Sequence, residues 1–397
     1  MEKILQSYQK RLTNLSGNNR SLLLLRLLSD QFIDLHSLDY AIKDPSFKII
    51  HQFIAGKNSI RICSKIDPRD KDSNNVSLRL KRLQRKDNFI FQERGSKDLY
   101  IGWPFVKGKM LDGTLIRGPL LFFPVELELI ENFWYLIIRK DVNLTFNKSF
   151  LLAYSHYNGV KLSEEFVEKV FDDFDRNAKE FKTGLNQFLK DSPVEINFNT
   201  EMFSDPLIPF ESLKKSDLEK KEKNGELKLY PQAVLGIFPQ SGSYLIPDYN
   251  FLTSKKEYNS LEDFFYERSF SEDDDGEIRH LSFSYFLNKL KEEQIYTPFK
   301  LDAFQENALK AVRKGNSIVV QGPPGTGKSQ LICNLMSDFM ARGKRVLLVC
   351  QKRAARDVVY DRLQQEELAD FAALVHDFKN DRKEIYKQIH TQIEKLY

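Results

Sequence analysis

Ile318–Met336 reads IVVQGPPGTGKSQLICNLM. Ser317–Gln321 is a short β-branched run suited to a buried parallel strand. Gly322-Pro323-Pro324-Gly325-Thr326-Gly327-Lys328-Ser329 then matches the G-x-x-x-x-G-K-[ST] phosphate loop. Leu331, Ile332, Leu335, Met336 and Phe339 follow at helical spacing on one face, with Gly343 as the expected helix stop. The competing reading is a Gly-rich turn with an accidental Lys-Ser. At average Gly usage of about 7% that pattern arises in roughly one chain in a hundred of this length, before the flanking strand and helix are demanded.

The residue types suit the chemistry. Backbone N–H groups wrap a phosphate only where no bulky Cβ blocks the approach, which Gly322, Gly325 and Gly327 provide, with Thr326 and Gln330 completing the loop. Pro323 and Pro324 restrict φ, and the following helix aims its N-terminal dipole at the anion. Lys328 is expected to bridge the β- and γ-phosphates of ATP and the Ser329 hydroxyl to ligate Mg²⁺, so these two are the candidate catalytic residues.

Outward from the loop, TPFKLDAFQENALKAVRKG (Thr297–Gly315) predicts a helix carrying Gln305. Its carboxamide matches the adenine N6 donor and N7 acceptor, although a Gln on an amphipathic helix is also an ordinary surface residue. Downstream, RVLLVC (Arg345–Cys350) predicts a second buried strand, and QKRAARDVVYDRL a helix with Val358, Val359 and Leu363 inward. FAALVHDFKNDRKEIYKQI predicts a third strand–helix unit. Alternating β and α units predict a doubly wound parallel sheet that binds ligands at the carboxyl ends of its strands. Gln351, Lys352 and Arg353 sit at such an end, placed to hold a phosphodiester backbone or to form a basic solvated turn. Asp377 ends FAALVHD as a Walker B acid would, without the adjacent Glu that serves as base.

The remainder predicts a mixed α+β accessory region over residues 1–295, helical over 1–45, β-rich over 46–155 and helical or mixed over 156–295, ahead of ATPase sequence over 296–397. YQKRLTNLSGNNRSLLLLRL reads as two helices broken at Ser16–Arg20. VELELI alternates with period two, Glu131-Asn132 turns into FWYLIIR, and VNLTF continues the meander. Val167, Val170, Phe171, Phe174, Ala178, Phe181, Leu185 and Phe188 place one apolar stripe on a helix. KKSDLEKKEKNGELK and SEDDDGEIR read as solvated connectors, the adjacent acids of Glu272–Asp275 lacking the spacing of a metal loop.

With 41% hydrophobic residues, 31 of them Phe, the 397-residue chain can bury two or three cores and is neither disordered nor of low complexity. Sixty basic and 56 acidic residues leave a net charge of +4, so any surface for a polyanion must be local. Cys63, Cys333 and Cys350 form no CxxC pair or even framework, which predicts a reducing, cytoplasmic setting. Ser21–Leu28 is too short to span a bilayer, and no membrane association is expected.

Gln305, GPPGTGKSQ and VLLVCQKRAARDVVYDRL together resemble motifs Q, I and Ia of superfamily 1 helicases of the RNA-surveillance and Dna2-like type. More narrowly, YQKRLTNLSGNNRSLLLLRL, YIGWPFVKGKMLDGTLIRGPLLFFPVELE and DFAALVHDFKNDRKEIYKQI resemble a bacterial branch in which a long accessory N-terminal region precedes the helicase core. The resemblance implies an incomplete RecA-like P-loop domain (motifs Q, I and Ia) at 296–397, with ATP hydrolysis coupled to translocation on, or unwinding of, single-stranded DNA or RNA. It also implies that Gln305 reads adenine, that Gly325, Thr326, Gly327 and Lys328 hold phosphate, that Ser329 binds Mg²⁺, and that Gln351–Arg353 touch nucleic acid. No Asp-Glu pair follows residue 329 at a strand end, and the second lobe with its arginine finger is not in the chain. The expectation is therefore the N-terminal part of such an ATPase, needing the remaining lobes or a partner protein for turnover. A non-enzymatic, nucleotide-switched interaction module and an AAA-type regulatory ATPase completed by partners are the alternatives.

Overall fold

Glu131 and Asn132 both take left-handed backbone (φ 47° and 69°). Two successive positive φ values twist a two-residue turn to match antiparallel strands. Leu115–Ile130 accordingly folds back on Phe133–Ile138, pairing Val125 with Ile138 and Ile130 with Phe133, as the alternation predicts.

In a computed structural model of the chain, the described residues are 15, 19–66, 69–140, 142–167, 169–171, 174–198, 206–239, 295–323, 325–375 and 378–396. The expected first helix, Glu272–Asp275, Pro324 and Asp377 lie outside them. The chain divides into two compact units, one of Glu2–Phe91 and Ser96–Lys256, the other chiefly Glu257–Tyr397.

The first unit holds strands β1 (Phe32–Asp34), β2 (Ser59–Ser64), β3 (Leu99–Lys109), β4 (Leu115–Ile130), β5 (Phe133–Ile138), β6 (Thr145–Phe146), β7 (Asn197–Phe198), β8 (Leu227–Tyr230) and β9 (Val234–Ile237). Its helices are α1 (Asp39–Ile42), α2 (Phe47–Ile54), α3 (Lys71–Arg94, of which the residues up to Phe91 belong to this unit), α4 (Lys148–Asn158), α5 (Glu164–Val167), α6 (Ala178–Lys190) and α7 (Lys215–Lys221). The sheet runs β1-β9-β3-β4-β5-β2, with β6 on β4, β8 on β3 and β7 on β8. Every ladder is antiparallel except the two-residue β7–β8 pairing. β4 serves two ladders, Leu115–Pro124 against β3 and Val125–Ile130 against β5. Its residues 115–125 are buried on both faces, so this stretch reads as a continuous apolar run rather than an alternation. Trp103 packs against Phe47 of α2 and Phe181 of α6 (ring centroids 5.8 and 6.5 Å).

Three local expectations change. Ser21–Leu28 is irregular chain, not a helix. The Leu24 N–H donates to the Arg117 carbonyl and the Arg117 N–H to the Leu22 carbonyl, both 2.8 Å, so the run buries Leu22 and Leu24 by lying along β4. Gly118 permits this approach, because a Cβ there would stand 2.2 Å from the Ser21 carbonyl oxygen. The fully buried Arg117 guanidinium donates to the Glu211 carbonyl (2.8 Å) and lies 3.7 Å from the centre of the Phe210 ring; burial pushes its pKa down to about 10. The apolar stripe from Val167 to Phe188 is not one helix: Val167 ends α5, Val170, Phe171 and Phe174 lie in non-helical chain, and Ala178, Phe181, Leu185 and Phe188 are on α6, which starts where the Asn177 side chain accepts from the Lys179 N–H. Phe171, Phe174, Phe181 and Phe188 remain core residues around Phe146 and Phe166. VNLTF contributes only β6, which pairs with Leu121 and Phe122 of β4 instead of extending β5.

The second unit holds α8 (Ala303–Arg313), α9 (Lys328–Ala341), α10 (Arg353–Gln365) and α11 (Phe378–Leu396), with a 3-10 turn at Ala369–Phe371. The expected RecA-like parallel sheet is overturned here: among the described residues from 295 on there is no strand, and the sheet of the chain is the antiparallel one of the first unit. Ser317–Gln321 and Arg345–Cys350 are β-branched and apolar but form no ladder, and Val319, Leu347 and Val349 are 89%, 87% and 80% exposed. A parallel strand is created by neighbours on its edges, and β propensity without them leaves a run of apolar chain in water. No described helix is long and apolar enough to cross a membrane.

Asp87 on α3 tests the electrostatics of the first unit. Burial, with Asp98 and Glu126 adding repulsion, pushes its carboxyl up to about 6 against the pull of Arg139 and Lys97. A carboxyl raised on folding costs stability as pH rises from the ordinary aspartate value near 3.8 through about 6. Asp87→Asn should therefore gain about 1–2 kcal/mol over the wild type at pH 7 and nothing below pH ~4, read by urea unfolding across that range.

Candidate functional site

The phosphate loop is set between two helices whose starts are both locally encoded. At the first, the Asp302 side chain accepts from the Gln305 N–H (2.8 Å) while the Gln305 side-chain oxygen accepts from the Asp302 N–H (3.3 Å), a reciprocal capping box that starts α8. The remaining amide hydrogens of Gln305 point to the Thr326 and Gly327 carbonyls at 3.5 and 3.4 Å. The Gln305 carboxamide, 8% exposed, thus spans the helix cap and the loop.

Gly325 and Gly327 take φ of 88° and 75°, conformations that side chains rarely adopt. At Gly327 a Cβ would also stand 2.5 Å from the Gln305 amide nitrogen, so the close approach of Gln305 depends on that glycine. Gly327 is the N-cap of α9, whose first residue is Lys328. The Thr326 hydroxyl donates to the Pro323 carbonyl (2.9 Å), and the Lys328 ammonium donates to the Gly322 and Pro323 carbonyls, the latter at 2.6 Å. The ammonium therefore lies across the loop at its carbonyl side. Gln330, half-buried, donates to the Lys300 carbonyl at 2.6 Å.

A cavity of about 680 Å³ opens here, lined by the loop, Gln305, Phe304 and Lys300 among others. That volume lies within the roughly 300–1,000 Å³ of small-molecule sites. Of the residues expected to meet a nucleotide, Gln305, Gly322, Pro323, Gly325, Thr326, Gly327, Lys328 and Gln330 line it. Ser329 is half-buried in the first turn of α9 and does not line it. Gln351, Lys352 and Arg353 stand outside it at the start of α10, where the Arg353 guanidinium pairs with Asp357 at 3.3 Å.

The supports beneath α9 carry no motif. Asn334, fully buried, accepts from the Phe299 N–H and donates to the Phe299 carbonyl, both at 3.0 Å. One turn on, fully buried Asp338 receives Arg313 of α8, the Tyr296 N–H (3.0 Å) and Arg342 (3.1 Å). Burial alone would raise this carboxyl; the bonds from Arg313, Tyr296 and Arg342 outweigh it and hold its pKa below the ordinary value. Cys333, Val359 and Leu363 form the apolar contact of α9 with α10, as the inward spacing predicts, whereas Val358 is 45% exposed. Asp302 was detectable as a cap with Gln three residues later. Asn334 and Asp338 were not, because, apart from Arg342, their partners come from residues 25 to 42 positions away.

A group with a lowered carboxyl pKa stabilises fully above the unfolded value and less as pH falls through the lowered one. Asp338→Asn leaves Arg313 buried without a counter-charge and should cost about 3–5 kcal/mol. Amide hydrogen exchange over 303–313 and 328–341 reads this loss.

Comparisons with known proteins agree with this geometry at a coarse level. Residues 300–394 match a family described as an AAA domain, and residues 41–153 match one described as a protein of unknown function, DUF4011. An uncharacterized ATP-dependent helicase of Mycoplasma pneumoniae is 29% identical over 314 residues, 78% of this chain and 26% of that protein. A second, of Mycoplasma genitalium, is 27% identical over 320 residues, 77% of this chain and 25% of its own length. The chain thus spans about a quarter of the length of these curated relatives. No solved structure matches it. The chain has partial similarity to helicase-type ATPases, and its C-terminal part has the character of an AAA-type nucleotide-binding domain.

Proposed function

We propose that the chain is the ATP-binding, N-terminal part of a superfamily 1 helicase-like ATPase that couples hydrolysis to movement on single-stranded nucleic acid. In this reading residues 1–295 are the accessory region and 296–397 the ATPase part. The observation that carries it is the cavity around Gly322–Lys328, where left-handed glycines, a helix start and a lysine ammonium converge.

The residues fit the nucleotide that the resemblance implies. The loop N–H groups and the α9 dipole receive phosphate oxygens. Lys328 exchanges its two carbonyl partners for the β- and γ-phosphates, so nucleotide binding replaces an internal bond pattern rather than meeting a bare charge. Gln305 reads adenine while remaining braced by Asp302. The Ser329 hydroxyl is the chain's ligand for Mg²⁺, which would neutralise phosphate charge when bound. Among the described residues no group of three or more His, Cys, Asp or Glu that could hold a metal occurs. Water activation and the transition-state charge need an acid pair and an arginine finger that these residues do not supply; roughly 10³–10⁵ in rate depends on the finger alone. Gln351–Arg353 contact the nucleic-acid strand.

Lys328→Ala should weaken binding of a fluorescent ATP analogue at least tenfold, measured by titration at fixed Mg²⁺, with the fold unchanged by circular dichroism. Full affinity in that variant would remove the reading. Rapid, strand-stimulated ATP turnover by this chain alone would refute the dependence on missing parts.

A further inference from the structure

The outer face of α3 holds a feature that the phosphate loop does not explain. The inner face of this 24-residue helix, with Val76, Leu80 and Leu83, is buried in the first unit's core. Ser77 accepts from the Trp134 ring N–H at 2.9 Å, and Gln84 donates to the Leu127 carbonyl at 2.8 Å, fixing which side faces out. On the opposite side Leu78, Arg82, Arg85 and Phe89 are all exposed. Their spacing of four, three and four residues lines them along one stripe about 16 Å long. Lys81 and Lys86 flank it, and the Lys86 ammonium lies 5.5 Å from the centre of the Phe89 ring.

The charge on this stripe is of one sign. No acidic residue occurs between Asp72 and Asp87, and Asp87 has a carboxyl oxygen buried away from the stripe. Lys81, Arg82 and Arg85 make no ion pair among the described residues. Phe89 and Leu78 are 55% and 53% exposed, an apolar group at each end of the cationic run.

We propose that this stripe is a contact surface for single-stranded nucleic acid, with Arg82 and Arg85 on phosphates and Phe89 stacking on an unpaired base. The combination is what a strand needs: cations tracking the backbone and an aromatic face for a base, which a duplex keeps inside its stack. A membrane surface fits poorly, because a helix lying in a bilayer needs a broad apolar face outward and here that face is in the core. The inference rests on the nucleic-acid part of the proposed function and not on the phosphate loop.

The test is fluorescence anisotropy of a labelled 20-nucleotide single strand titrated with the full 397-residue chain at several salt concentrations. Arg82→Gln with Arg85→Gln should weaken binding and flatten the log–log salt slope by about 1.4, two phosphate contacts at ~0.7 each. Phe89→Ala should weaken binding about tenfold with the slope unchanged. Arg82→Lys with Arg85→Lys should retain binding, which a loss of fold would not allow. Binding of the fluorescent ATP analogue should be unaffected in all three, so failure here is separable from failure of the ATP site. Unchanged affinity and slope in the glutamine variant would overturn the proposal. So would a wild-type chain that ignores the strand while binding phosphatidylserine vesicles or polyglutamate through these arginines.

Discussion

The second unit is organised around a carboxylate with no contact with water. Asp338 on α9 gathers Arg313 from α8, Arg342 from its own next turn and the backbone of Tyr296. A buried charge is tolerated only when nearly all its lone pairs are met, so the two helices cannot shift without exposing an uncompensated ion. Asn334 applies the same logic one turn earlier, closing both polar groups of Phe299. The phosphate loop lies between helices held in this way, and its glycines supply the curvature while the helices supply the position.

Gln305 connects that frame to the loop. Its carboxamide completes the α8 cap and reaches the carbonyls of Thr326 and Gly327, over the space left by the missing Cβ of Gly327. The same residue expected to read a base is therefore also a brace for the turn expected to meet phosphates. A change at Gln305 would perturb both, and a measured loss of nucleotide affinity there would not by itself distinguish the two roles.

In the first unit the organising element is β4, which hands its chain from one ladder to another at Pro124–Val125. Because it is covered on both faces, its one buried cation, Arg117, must be satisfied by carbonyls of Leu25 and Glu211 and by the Phe210 ring. The segment that lies along β4 at Arg117, Ser21–Leu28, is irregular chain rather than helix, whereas α3 buries its inner face in the same core and turns its outer, charged face away.

Local chemistry was legible where neighbours in sequence decide it. The Glu131-Asn132 turn, the α8 helix, the Gly343 stop with its φ of 68° and the Gly-rich loop all arise from contacts within a few residues. The apolar residues between Val167 and Phe188 were legible as core but not as non-helical chain leading into a late helix, since periodicity alone does not report the Asn177 cap. The parallel sheet was the larger misreading: Ser317–Gln321 and Arg345–Cys350 carry strand composition, yet a strand exists only when another backbone meets its edge, and no described ladder does so. The amino-acid order by itself determined the phosphate loop, its lysine and the helix that follows. Tertiary structure alone decided which groups brace that loop, because Asp338–Arg313, Asn334–Phe299 and Gln305–Gly327 bring together residues 22 to 35 positions apart through burial that no local pattern encodes.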